Sequence, residues 1–195
     1  MPVIGIALFD GVEELDWVGP WEVLRTWQEY WPDDGVSVFT AAHTDGAITC
    51  AKGMRAVPDH RWDWAPRIDV LVYPGGRGTR AQLGDEPMRE WLRATARTAS
   101  LMTSVCTGSL VFADAGLLDG RPATTHWGSL ELLAKLGRDI DVRPDDRFVD
   151  DGDIITASGV SAGIDMALHL VARLHSAERS REVRRSIQYD PAPPY

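Results

Sequence analysis

The amino-acid sequence predicts an α/β fold in which a mostly parallel sheet is covered by helices on both faces. Three observations carry that expectation. Short, almost continuously apolar runs alternate with longer stretches of helical periodicity from one end of the chain to the other. The runs lack the polar–apolar alternation of a half-exposed strand, so each must be covered on both sides. Finally, 195 residues suffice for one sizeable core but are short for two, so residues 1–195 read as a single domain.

The strand VIGIALF (3–9) opens the chain; its run is broken by Asp10 and has no basic region ahead of it, so it reads as a strand and not as a secretory leader. A helix is expected over PWEVLRTWQEYW (20–31), with Pro20 in the first turn, where a missing N–H costs nothing. The second strand is VSVFTAA (36–42), and AITCAKGMRAV (47–57) reads as a hairpin in which Cys50 is structural. IDVLVYP (68–74) is the third strand, and PGGRGTR (74–80) the turn that leaves it. A helix over EPMREWLRATARTA (86–99) leads to the fourth strand, LMTSV (101–105), which runs directly into the helical GSLVFADAGLL (108–118). SLELLAKLG (129–137) and SAGIDMALHLVARLH (161–175) carry apolar residues at helical spacing. Between them RFVDDGDIITASG (147–159) has two β-like runs about Asp151-Gly152, an antiparallel hairpin expected at a sheet edge. The ending PAPPY (191–195) is a poor helix and is expected to lie extended on the surface or on a partner. Among eight tryptophans, Trp17, Trp21, Trp27, Trp31 and Trp127 are expected to pack helices onto the sheet, with Trp17 or Trp127 lining a pocket as the alternative.

Composition removes several classes of function. A net charge of −9 and a pI near 5.0 leave no basic footprint for nucleic acid or an anionic lipid surface. No segment approaches the roughly 18 apolar residues of a membrane span, so a cytoplasmic location is the default. Two cysteines, Cys50 and Cys106, make neither a disulfide framework nor a zinc spacing.

Cys106 is the first site candidate, because a strand that turns straight into a helix holds the residue between them as a nucleophile elbow. The helix N-terminus beside it favours a thiolate, and Thr107 can add a hydroxyl donor, so Cys106 is expected to be substantially thiolate near neutral pH. The alternative is a buried, unreactive thiol. Asp16, in EELDWVGP, follows the first strand and should lie at the same sheet edge. It serves either the following helix or, beside an activated thiol, the movement of protons. Gly75 and Gly76 could offer two backbone N–H groups to an anion or oxyanion. His126, in ATTHW, is a structural residue or a base for the thiol.

SVCTGSL, ATTHW, LDWVGP, the PGG after the third strand and YDPAPP together resemble the ThiJ/PfpI superfamily (class I glutamine amidotransferase-like), and within it the isocyanide hydratases. The likeness runs over almost the whole chain. It implies a flavodoxin-like three-layer α/β/α sandwich, a two-fold homodimer, and a strained elbow at Cys106 with Asp16 in contact with it. It also implies Thr107, Gly159 and Val160 near the pocket. Thr107 stands where the protease branch has histidine, which disfavours proteolysis. Regulators of the AraC type carry a similar domain fused to a helix-turn-helix module, for which 195 residues leave no room.

The function so implied is a lyase of the hydratase type: Cys106 attacks an isocyanide carbon, Asp16 protonates it, and the thioimidate is hydrolysed to an N-substituted formamide, with a small-molecule substrate and with no metal or organic cofactor. The alternatives are a cysteine-based redox or stress sensor, a ligand-binding module without turnover, and glyoxalase-like hydration of small aldehydes.

Overall fold

A computed structural model describes residues 2–191; of the expected tail, residues 192–195 lie outside the described residues. Seven strands, β1 (Val3–Ala7), β2 (Ser37–Ala42), β3 (His60–Arg61), β4 (Val70–Tyr73), β5 (Leu101–Val105), β6 (Phe148–Asp150) and β7 (Ile154–Ala157), form one sheet in the order β6, β7, β5, β4, β1, β2, β3. All pairings are parallel except the β6–β7 hairpin, which closes one edge as expected. Its turn is fixed by Gly152 at φ 82° and by the Asp151 N–H on the Ile154 carbonyl at 2.9 Å.

Successive strand residues point to opposite faces, and here both faces are covered. Ile4, Ile6, Val70, Val72, Val105 and Ile155 pack with α1 (Glu14–Tyr30), α5 (Ala162–Leu174) and α6 (Ala177–Ser186). Leu71, Tyr73, Met102 and Ile154 pack with α2 (Glu86–Thr98), α3 (Gly108–Asp114) and α4 (Leu130–Leu136). The continuous apolar runs are the sequence image of this three-layer sandwich.

The register positions the site. Tyr73 lies beside Ser104 and Val105 beside Ala157, so β4, β5 and β7 end level with one another. The segments leaving them meet at one crevice, the usual ligand position of an open parallel sheet.

Three expectations need correction. Helix α1 begins at Glu14, so Pro20 is inside it and supplies no N–H to the carbonyl of Asp16, four residues back. The buried stripe Trp17, Pro20, Val23, Leu24 and Trp27 is continuous across the proline, and packing outweighs the missing bond. Trp127 packs no helix onto the sheet: it is 79% exposed, whereas Trp17 and Trp27 are core residues. Helix α6 was not expected, because AERSREVRRS has almost no apolar stripe; Ser176 starts it by accepting the Arg179 N–H at 3.1 Å. Among the described residues, no helix is long and apolar enough to cross a membrane.

Candidate active site

The elbow is strained and firmly held. Cys106 has φ 56°, in the left-handed region that residues with a Cβ avoid. Its N–H is shared between the carbonyls of Ala157 at 3.0 Å and Ser158 at 2.9 Å. Its carbonyl accepts Thr125 Oγ1 at 2.9 Å and Ser109 Oγ at 3.1 Å. Four bonds to the backbone of one residue can sustain a conformation that costs of order 1–3 kcal/mol. Across the crevice Val160 is also left-handed, φ 47°, a sharper departure because its side chain is β-branched. The backbone N–H groups of Thr107 and Val160 lie on the side of the Cys106 sulfur and favour its anion.

Asp16 occupies the first turn of α1 and is fully buried. Its Oδ2 accepts the Gly75 N–H at 2.9 Å, while Oδ1 has no hydrogen-bond partner among the described residues. The Cys106 thiol lies close enough for each group to influence the other's titration. Burial pushes the Asp16 carboxyl up to about 7, against the opposing Gly75 N–H. Burial likewise pushes the Cys106 thiol up, to about 12, with the charge of Asp16 as the second cause.

A thiolate at neutral pH is therefore not what this environment favours while Asp16 is charged. The sequence signal for it was the helix that follows the strand, but α3 is only seven residues long and the sulfur is almost fully buried. A proton on Asp16 removes the opposing charge, so Cys106 and Asp16 act as one coupled acid.

The other candidates fall into place around this pair. Gly75 and Gly76 do not present a free donor pair: the Gly75 N–H is on Asp16, and the Gly76 N–H is on Thr107 Oγ1 at 2.9 Å. Gly75 is required by space. A Cβ there would overlap the Thr107 backbone nitrogen and reach 2.9 Å from Asp16 Oδ2. Nor does Thr107 direct its hydroxyl at the sulfur, since that group bonds Gly76 and Thr79 Oγ1, the latter at 3.2 Å. What Thr107 gives the thiol is its backbone N–H.

His126 is half-buried and has no hydrogen bond to Cys106; its Nδ1 accepts the Gly128 N–H at 3.2 Å. The ring lies against Gly159, where a Cβ would come within 2.6 Å of Cδ2. It forms one wall of a cleft of about 310 Å³ shared with Thr125, Trp127, Asp145, Asp146 and Val160. Sequence reading assigned no role to Thr125, Thr79, Arg80 or Ser129, all bonded into this region; the first three lie within ATTHW and PGGRGTR, and that position was their only signal. Among the described residues no group of three or more His, Cys, Asp or Glu is placed to hold a metal ion.

A protonated carboxyl beside a thiol, with two N–H groups that favour the sulfur anion, can deliver a nucleophile and a proton to one small electrophilic atom. A model of the DJ-1/PfpI family matches residues 3–173. Isonitrile hydratase of Pseudomonas putida is 40% identical over 192 residues, 98% of this chain and 80% of that protein. The HTH-type transcriptional regulator GbdR of Pseudomonas aeruginosa is 32% identical over 143 residues, 73% of this chain but only 38% of the regulator. The crystal structure of a ThiJ/PfpI family protein from Pseudomonas syringae superposes with a TM-score of 0.89 at 32% identity, covering 100% of this chain and 77% of that one.

Proposed function

The chain belongs to the DJ-1/PfpI family, and from the pair at its elbow we propose that it is an isocyanide hydratase, a lyase that converts R–N≡C and water to R–NH–CHO. The observation that carries this reading is the buried Cys106–Asp16 pair, with the carboxyl raised to about 7. The 40% identity to an isonitrile hydratase supports it.

The terminal carbon of an isocyanide must accept a nucleophile and a proton. With one proton shared by the pair, sulfur bonds that carbon as the Asp16 proton moves to it, leaving a neutral thioimidate, R–N=CH–S–Cys106. Asp16, now a carboxylate, takes a proton from water as its oxygen bonds the carbon, and relays that proton to nitrogen. When the C–S bond breaks, its electron pair returns to sulfur and the hydroxyl proton to Asp16. The formamide leaves and the pair again holds one proton. The Thr107 and Val160 N–H groups stabilise the sulfur anion at both ends of the cycle.

A homodimer belongs to the same proposal, supported by a mostly apolar groove beside α1 and α5 lined by Leu15, Val18, Val23, Ile164 and Ile187 with Glu22 among them. So does a cytoplasmic site of action. The redox-sensor reading draws on the same thiol, so turnover of an isocyanide is what separates the two.

The test is direct. Purified protein is mixed with a simple alkyl isocyanide and formamide is followed, with Cys106→Ala as control. Formamide from the intact protein alone supports the reading. No turnover on any of several isocyanides overturns it, and lactate from methylglyoxal in a parallel assay would put the aldehyde reaction in its place.

A further inference from the structure

The turn 74–80 carries two glycines at the site, and its last residue reaches further. Arg80 Nη1 donates to Thr79 Oγ1 at 3.1 Å, and Nη2 donates to Ser129 Oγ at 3.1 Å. Thr79 Oγ1 donates to the Gly76 carbonyl at 2.8 Å and lies 3.2 Å from Thr107 Oγ1. Thr107 Oγ1 accepts the Gly76 N–H at 2.9 Å. One prong of the guanidinium therefore leads to the residue after the nucleophile. The other holds the segment that begins with Thr125, whose hydroxyl bonds the Cys106 carbonyl.

We propose that Arg80 is a positioning residue of the elbow: by donating to Thr79 and Ser129 together it fixes both flanks of Cys106 and keeps the Thr107 N–H aimed at the sulfur. The proposal deepens the hydratase reading and rests on it for its kinetic arm only.

The order of donors explains why an arginine is needed. A hydroxyl donates one proton and accepts from others. With an Arg80 N–H occupying Thr79 Oγ1, the Thr79 proton is committed to the Gly76 carbonyl, 2.8 Å away. Thr107, which accepts from Gly76, is left to direct its own proton at the same loop. Without Arg80, the Thr79 hydroxyl keeps only Gly76 and Thr107 as partners, and the anchor that orients Thr107 is held less tightly. The guanidinium fork suits this task because it is planar and cannot lose its charge, whereas an ammonium has no fixed fork with which to span two hydroxyls. Arg80 itself is exposed, so its removal leaves no buried cavity.

The test uses Arg80→Ala, Arg80→Lys and Thr79→Val, each in the full-length protein with Cys50→Ser so that only Cys106 is read. Two measurements are made: steady-state turnover of an alkyl isocyanide, and the pH midpoint for alkylation of Cys106 by iodoacetamide. For Arg80→Ala the expected result is a kcat roughly tenfold lower with KM within about twofold, the signature of misplaced and not missing machinery. The alkylation midpoint should move upward as the Thr107 N–H loosens. Millimolar guanidinium ion should restore kcat to Arg80→Ala, and Arg80→Lys should recover little. Arg80→Ala combined with Thr79→Val should be no slower than the worse single variant, because both act through one chain. The proposal is overturned by a raised KM with kcat kept, by an unmoved alkylation midpoint, or by a loss that follows melting temperature and ignores guanidinium. If the intact protein turns over no isocyanide, the hydratase reading fails, while the alkylation midpoints still decide the role of Arg80.

Discussion

Replacing Asp16 by Asn should make the protein more stable above neutral pH while removing its turnover. Burial pushes the carboxyl up to about 7 in the folded chain, against 3.8 for a free side chain. Its folded value is raised, so the folded state holds the proton more tightly than the unfolded state does. Below about pH 3.8 both states are protonated and Asp16 costs nothing. As pH rises towards 7 the unfolded chain ionises first, and the cost of keeping Asp16 buried grows. Above 7 it is complete. At roughly 1.4 kcal/mol for each pH unit between the two values, the limit is about 4 kcal/mol. Asn cannot recover all of it, because its carbonyl can keep the Gly75 N–H but its amide must face the thiol, where Oδ1 has no partner. A gain of about 1–3 kcal/mol at pH 8.5 is expected, or several degrees in melting temperature for a chain of this size. Thermal melts of both proteins at about pH 4.5, 6, 7 and 8.5 would show the gain appearing between the first and last. A difference that is flat with pH, or a variant less stable at pH 8.5, would refute the reasoning about burial and with it the acid role of Asp16.

Turnover by the intact protein should fall as pH drops through about 7, when the pair takes up a second proton, and a pH–rate profile without that limb would count against a shared proton. Gly75→Ala should cost about 1–3 kcal/mol from crowding and nearly all formamide formation, because the new methyl falls between Thr107 and Asp16; wild-type melting and activity would show that the approach is not tight. His126→Ala should change KM more than kcat, since the ring walls the cleft without bonding the pair, and a hundredfold fall in kcat would make it the base instead. Light scattering should return twice the 21.5 kDa chain mass at micromolar concentration, and a monomer mass would remove the dimer from the proposal.

The sheet was legible because its strands are buried on both faces: continuous runs such as Val70–Tyr73 admit few other readings. Helix boundaries were less so. Proline biased the start of α1 towards residue 20, whereas the buried stripe, which depends on what α5 presents, extends it to Glu14. Helix α6 was invisible because its apolar contact with the core narrows to Val183, with a cap and ion pairs such as Arg179–Asp34 around it. At the site, sequence order placed Cys106 and Asp16 at the same sheet edge, and the family resemblance supplied the contact between them. Sequence order could not show where donors point. The Gly75 and Gly76 N–H groups are turned to Asp16 and Thr107, and the tetrad Thr79, Arg80, Thr107, Ser129 joins residues up to 50 positions apart through side chains alone.

The raised thiol is easier to understand once protons are counted over the pair. A cysteine with a low pKa is a better anion but a weaker nucleophile, and it would leave Asp16 without a proton to give. Burying both groups makes the doubly ionised state costly, so one proton stays in the crevice across the neutral range. That proton can sit on sulfur or on oxygen. In the second arrangement the Thr107 and Val160 N–H groups, fixed by two left-handed residues, already surround the anion. The strain at Cys106 and Val160 is thus tied to the chemistry: relaxing either residue would turn an N–H away from sulfur and shift the proton back to it. An isocyanide, which needs a nucleophile and a proton at one carbon, draws on both members of the pair at once. A substitution that relaxes Val160, such as Val160→Gly, should therefore raise the alkylation midpoint of Cys106 and lower kcat together, with melting temperature held or increased. If kcat fell while the midpoint stayed in place, the strain would serve substrate fit and not the proton.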